Sequence, residues 1–363
     1  MKPYRPQQLP LSGLHWEPLI RLIGPANAEL ARFDGTLQSM INPELLLSPL
    51  RTQEAVLSSR IEGTQATLRD VLEFEATGEE KPEKAHDIQE ILNYRTALQT
   101  AVESLNDRPI SLNLIKRIHS ILLDSVRGQN MSRGEFRRKQ NWIGRPGSPV
   151  EQARFVPPAP LALAACLDNF EKYIHYDEVD RLVQLAVVHA QFELIHPFLD
   201  GNGRVGRILI PLFLYEKKLL SSPMFYLSAY LEANRDAYYD RLQGVSEQGD
   251  WHGWIQFFLT AIIEQAQANN AKAKAIHDLY DEMKDVISQA VRSHYAIRTL
   301  DTLFHVPVLT RGKFIQRSGI PKTSADRILG SLLNNKHIVK IRQGSGQQPT
   351  IFRFAELVKM LEK

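Results

Sequence analysis

His196-Pro-Phe-Leu-Asp200-Gly-Asn-Gly-Arg204-Val-Gly-Arg207 gathers a histidine, a carboxylate, a Gly-Asn-Gly turn and two arginines into one short stretch. Leu182–Ile195 before it and Ile208–Leu214 after it are apolar on most faces and read as buried helices. The polar stretch is therefore expected to be a loop pinned between two core helices, with its glycines opening the second. Gly201 and Gly203 carry no Cβ, so their backbone N–H groups approach an anion closely. A turn that opens a helix adds unpaired donors and the positive end of the helix dipole, which suits phosphate. Arg204 and Arg207 stand three residues apart on one helix face, and their guanidinium forks match phosphate oxygens. Asp200 is a hard oxygen donor of the kind that holds Mg²⁺. His196 ordinarily titrates near neutrality and is suited to accept a proton from a hydroxyl. Singly, each piece has a plain structural reading: a histidine before proline, a glycine turn. Together they suit the parts of a nucleoside triphosphate and of a hydroxyl that attacks it.

The stretch matches the HPFx[D/E]GNGRxxR signature at every fixed position, and in this the chain resembles the Fic (filamentation-induced-by-cAMP) family. The resemblance implies transfer of AMP from ATP to a protein hydroxyl. It makes His196 the general base and Asp200 the Mg²⁺ ligand. Gly201, Asn202 and Gly203 become the anion-binding turn, and Arg204 and Arg207 the grips on the β- and γ-phosphates. Val205 and Gly206 complete the ATP-binding segment. A divergent Doc-like branch phosphorylates instead and carries Lys where Arg204 stands here. Ser58-Ser-Arg-Ile-Glu62-Gly63 is similar to the [S/T]xxxE[G/N] pattern of the Fic inhibitory helix. Ser48-Pro49 opens a helix and Gly63 closes one, so Ser58 and Glu62 fall one turn apart near its end. The resemblance implies an ion pair between Glu62 and Arg207 in the seat of the γ-phosphate. The bland alternative leaves Glu62 on a solvated helix face.

Gly134-Glu-Phe-Arg-Arg-Lys-Gln-Asn-Trp-Ile143-Gly144 precedes a Gly/Pro/Ser-rich stretch. Alternation around Trp142 and Ile143, with turn chemistry at Gly144, Pro146 and Gly147, reads as a short hairpin or flap. Fic proteins have such a flap, which pairs with the target segment in strand fashion. Asn234–Leu242 sits at a helix start, and the resemblance puts the adenine near Tyr239 and Leu242, with Tyr238 a weaker contact.

The chain has 363 residues, 43% hydrophobic and 23% charged, near globular averages and long enough for two or three domains. Cys166 is the only cysteine, which excludes an intrachain disulfide, and it reads as a small core residue. His189 and His196 lie seven apart without a zinc spacing such as HExxH. No run reaches the ~20 apolar residues of a bilayer span, and the N-terminus lacks the apolar core of a signal peptide. The expected location is cytoplasmic. A homodimer is a guess that no particular residue supports.

Residues 301–363 hold 11 Lys and Arg against 4 Asp and Glu, a local +7 in a chain of +3. Thr310–Ile320 reads as a helix ending at Gly319, and Pro321-Lys-Thr-Ser324 opens another through Leu333. His337–Arg342 and Pro349–Phe354 alternate like strands about the tip Gly344-Ser-Gly346. This order resembles a winged helix, with Lys322, Thr323, Ser324 and Arg327 facing a DNA groove. The expected fold is mainly α: a Fic-type helical bundle with a β-hairpin flap and a small α+β winged-helix domain. The expected domains are an N-terminal helical region (1–108, inhibitory helix about 48–63), a Fic domain (109–262), a helical connector (263–298) and the winged helix (299–363). The favoured function is a protein adenylyltransferase acting on Tyr, Ser or Thr hydroxyls, its own included, and restrained by Glu62. The alternatives are a DNA-binding regulator that senses ATP, and an enzyme that removes AMP.

Overall fold

Asp180 starts the helix on which the fold is organised. Its carboxylate accepts from Leu182 N–H and Val183 N–H, each at 2.9 Å, and caps the helix Arg181–Ile195. Thirteen of the fifteen residues of this helix are buried. It ends at His196, whose left-handed backbone (φ 49°) breaks the helical course before Pro197. The chain turns and re-enters helix at Asn202–Glu216, with Gly201 as a left-handed N-cap (φ 77°). The second helix thus begins inside the polar stretch, earlier than the apolar run alone indicates. These two helices pack on each other, flanked by Pro160–Ile174, Leu112–Leu122 and Arg235–Gln248.

The computed structural model describes residues 2–79, 82–126, 131–144, 149–346 and 348–362. Two compact units divide the chain. The first comprises residues 1–34, 57–63 and 92–267. The second comprises residues 35–56, 64–91 and 268–363. The helices Glu17–Ser39, Ser48–Ile61 and Trp251–Val291 contribute residues to both. The mainly helical expectation holds, and among the described residues β structure consists of one small sheet and two isolated bridges, Ile143 with Phe155 in the flap region and Ser345 with Gln348.

In the second unit three strands, β1 (Val308–Thr310), β2 (Val339–Arg342) and β3 (Ile351–Arg353), lie in the order β1-β3-β2, all antiparallel. The sequence reading found β2 and β3 but not β1, whose three residues are all buried and too few to show alternation. Between β1 and β2 run the helices Arg311–Ser318, closed by left-handed Gly319, and Lys322–Asn334. The helix Leu68–Thr77, capped by Thr67 and ended by left-handed Gly78, packs on β1 and β3. Glu80 and Lys81, in the charged stretch after it, lie outside the described residues.

Cys166 is only partly buried, on the helix Pro160–Ile174, so it is not the core residue its small size suggested. Among the described residues no helix is long and apolar enough to cross a membrane.

Candidate active site

A cavity of about 980 Å³ opens in the first unit between the central helices and the flap region. His196, Asp200, Gly203 and Arg207 line it, together with Glu62, Glu193, Tyr238, Tyr239 and Leu242. Trp142, Ile143, Arg154 and Phe155 form its flap side.

His196 owes its orientation to its own helix end. Its Nδ1 lies 3.3 Å from the carbonyl oxygen of Glu193. A carbonyl only accepts, so Nδ1 carries the proton and Nε2 keeps its lone pair. Burial depresses the imidazole pKa to about 4, which keeps the ring unprotonated, with Nε2 able to accept a proton, at physiological pH. The left-handed backbone at His196 is sparsely populated for a side chain with Cβ, and such strain collects at functional positions.

Arg137, 2% exposed, holds that strained turn. Its guanidinium donates to the carbonyls of His196 (2.9 Å) and Pro158 (2.6 Å), and more weakly to Ile195 and Lys139 (3.4 Å each). Its own N–H donates to Pro197 O at 2.9 Å. His119 braces the far side of the loop. Gly134 N–H donates to its Nδ1 at 2.9 Å, so Nε2 bears the proton and donates to Asp200 O at 3.0 Å. Its ring stacks on Phe198 at 3.8 Å, and burial lowers its pKa to about 4. Asn202 closes the loop from within, pairing with both N–H and C=O of Phe198 at 2.8 and 2.9 Å. Its amide is therefore committed to the fold, and only its backbone faces the turn.

Arg207 is the most constrained charge of the site. The side chain is 1% exposed, and Nη2 reaches Glu62 Oε1 at 2.7 Å. Nε donates to Ser58 Oγ at 2.8 Å and Nη2 to Ser58 O at 2.9 Å. Ser58 and Glu62 thus meet one guanidinium from the last turn of Ser48–Ile61 and the residue after it. Burial disfavours both charges. On Glu62 the effect of Arg207, aided by Arg204 and His196, outweighs it and holds the carboxyl below its usual range. On Arg207 the Glu62 carboxylate likewise outweighs burial and raises the guanidinium pKa. The pair packs so closely on Gly203 that a Cβ there would collide with Glu62 Oε1 and lie 2.9 Å from Arg207 Nη1. Arg204, 3% exposed at its side chain, reaches Asp200 at 3.8 Å, and Asp200 Oδ1 accepts Gly201 N–H at 2.6 Å.

Tyr239 and Leu242 line the opposite part of the cavity on the helix Arg235–Gln248. Tyr238, 1% exposed, turns its hydroxyl inward to His189 Nε2 at 2.9 Å. His189 Nδ1 donates onward to Gly206 O at 3.2 Å, which makes this histidine a neutral packing element. Val205 is buried in the core, and Gly206 lies against the Glu193 carboxyl instead of lining the cavity.

The flap region is pinned by one bridge: Ile143 N–H donates to Phe155 O at 2.8 Å, and Ile143 O accepts from Arg154 and Phe155. Arg154 ties it to the helix Arg235–Gln248 through Asp240 (2.7 Å) and Gln243 (2.9 Å). Trp142 stays 43% exposed beside the opening. Pro146 and Gly147, read as its turn, lie outside the described residues.

Sequence reasoning passed over Arg137, His119 and Glu193. Glu193 had a readable signal, being one turn before His196 on the same helix. Arg137 and His119 had none, because their partners are backbone carbonyls and N–H groups distant in sequence.

Comparison with known proteins places the chain in a family. A profile of the Fic/DOC family N-terminal region matches residues 20–103, and one of the Fic/DOC family matches residues 109–214. The chain belongs to the Fic/DOC family. It is 28% identical over 200 residues to a probable protein adenylyltransferase of Aquifex aeolicus, covering 53% of this chain and 57% of that protein. It is 30% identical over 204 residues to the protein adenylyltransferase Fic of Drosophila grimshawi, covering 54% of this chain and 38% of that protein. The chain thus spans roughly half or less of these relatives. A crystal structure of a Fic family protein from Desulfovibrio desulfuricans shares the fold over 98% of both chains, at a TM-score of 0.57 and 19% identity. Fic-1 from C. elegans matches 69% of this chain and 72% of its own, at a TM-score of 0.54 and 21% identity.

Proposed function

We propose that this chain is a protein adenylyltransferase that moves AMP from ATP to a Tyr, Ser or Thr hydroxyl, its own included, and that Glu62 restrains it. The observation that carries the reading is the buried Arg207–Glu62 pair at 2.7 Å, set in the same cavity as a histidine with a free basic nitrogen. His196 Nε2 accepts the proton of the incoming hydroxyl. The oxygen attacks the α-phosphorus, its new P–O bond forms as the bond to the β-phosphate bridge breaks, and diphosphate leaves. Gly203 and the other first N–H groups of the helix Asn202–Glu216 cradle phosphate oxygens, while the Gly201 N–H holds Asp200. Arg204 and Arg207 bear the charge that gathers on the leaving group. Tyr239 and Leu242 flank the base, and the flap segment at Trp142, held by the bridge at Ile143, receives the target in strand fashion.

Among the described residues no cluster of three or more His, Cys, Asp and Glu stands ready for a metal ion. Asp200 still fits Mg²⁺, which is commonly held by one or two carboxylates together with substrate phosphates. Its carboxylate lines the cavity, 37% exposed. The ion would supply charge neutralisation on the phosphates.

Glu62 takes the arginine that the γ-phosphate needs. A hydrogen bond to a charged group is worth about 1.5–3 kcal/mol, so freeing Arg207 is expected to raise AMP transfer roughly ten- to a hundredfold. Incubation with ATP labelled at the α-phosphate should label protein, strongly in Glu62→Gly and not at all in His196→Ala. Label carried only from the γ-phosphate would overturn the assignment in favour of a kinase.

The second unit supports an additional reading as a DNA-binding winged helix. Lys322, Thr323 and Arg327 are exposed on the first turns of the helix Lys322–Asn334, and Lys336 and Lys340 are exposed beyond it. Phosphate contacts of this kind need no sequence preference.

A further inference from the structure

The mechanism leaves one buried carboxyl of the cavity without a task. Glu193 lies one turn before His196 on the helix Arg181–Ile195 and lines the cavity wall. Its Oε1 is buried and has no hydrogen-bond partner among the described residues. That oxygen packs against Gly206, which does not line the cavity, so it seats the carboxyl, and a ligand in the cavity would meet the rest of the side chain. The fold makes room for this carboxyl. A Cβ at Gly206 would collide with Glu193 Oε1 and meet Phe192 Cδ1 at 3.3 Å. Gly206 has no left-handed backbone to account for it, so the space it leaves serves the carboxyl.

Position narrows the ligand. Arg207 and Glu62 mark the phosphate end of the cavity, and Tyr239 and Leu242 mark the base end. Glu193 is within electrostatic reach of both: Arg207 and Glu62 act on its ionisation, and it acts on that of Tyr239. The part of a nucleotide that joins phosphate to base is the ribose. Burial pushes the Glu193 carboxyl up to about 8, so at neutral pH it holds a proton and both donates and accepts. A sugar hydroxyl also does both.

We infer that Glu193 binds the ribose hydroxyls of the nucleotide and makes this pocket selective for ribonucleotides over deoxyribonucleotides. The inference rests on the nucleotide reading of the cavity and assigns a specificity-determining residue within it.

Titration calorimetry on the full chain carrying Glu62→Gly tests it, with ATP, 2′-deoxyATP, 3′-deoxyATP and ITP as ligands. The parent binds ATP roughly tenfold tighter than at least one deoxy analogue, the value of one such hydrogen bond. Adding Glu193→Ala brings ATP down to the level of that analogue and leaves the ATP to ITP ratio unchanged. Gly206→Ala, which displaces the carboxyl without removing it, reproduces the loss of ribose selectivity. Circular dichroism establishes that each variant is folded. Ribose selectivity retained in both folded variants overturns the inference, as does a change in the ATP to ITP ratio alone, which would assign Glu193 to the base. If the parent binds none of the four ligands, the nucleotide reading itself falls, and the inference with it.

Discussion

Arg207 shows how one side chain carries two states of a site. Its charge is buried, so it requires an anion. In this structure the anion is Glu62, and Ser58 accepts from Nε and Nη2. In the proposed reaction a γ-phosphate would offer anionic oxygens to the same guanidinium, and the two anions would compete for it. His196 supplies the other residue-level expectation. Its pKa is lowered, so the basic form is present above about pH 4 and is lost only as the pH falls through that value. In the Glu62→Gly variant the acid limb of kcat/KM should therefore lie well below pH 6, so that the ionisation of His196 leaves the rate unchanged between pH 6 and 8. An acid limb centred near 6.5, the ordinary value for histidine, would show that the ring is solvated during catalysis. The partners at this scale were legible in part. Ser58, Glu62 and Arg207 sit in recognisable spacings, whereas the orphaned oxygen of Glu193 depends on its packing over Gly206.

At the scale of elements, the site is a helix–turn–helix junction kept in a strained shape. The helix Ser48–Ile61 was readable to both ends, because Ser48-Pro49 and Gly63 are strong boundary signals. The start of Asn202–Glu216 was legible from the glycines, because its first turn is polar and Gly201 as left-handed N-cap marks it. The junction itself is held by Arg137, whose guanidinium serves carbonyls from three segments. Replacing it with alanine leaves buried carbonyls without donors. Arg137→Ala should cost about 2–4 kcal/mol in denaturant unfolding, and Arg137→Lys should recover only part, because an ammonium lacks the planar fork. A stability equal to the parent would mean that water replaces the arginine at no cost. No spacing rule would have found this brace, since its acceptors are main-chain atoms at Lys139, Pro158, Ile195 and His196.

Across the whole molecule, composition and structure assign charge and chemistry to different parts. The cavity belongs to the first unit, and the basic C-terminal segment to the second. If that segment binds DNA, the full chain should give a salt-dependent gel shift with duplex DNA. Lys322→Glu with Arg327→Glu should abolish the shift and leave AMP transfer by the Glu62→Gly chain unchanged. Absence of a shift at low salt in the unaltered chain would remove DNA from the list of partners.

The sequence by itself determined the family signature, the helical character and the pairing of Glu62 with Arg207. These are properties of local spacing: periodicity, caps, and residue types three or four apart. Only the tertiary structure decided that residues 35–56 and 64–91 fold with 268–363, that a third strand at Val308–Thr310 completes the sheet, and that Arg137, His119 and Glu193 converge on the junction at His196. Such contacts join residues far apart in the chain through backbone groups and packed space, and neither leaves a pattern in the order of side chains.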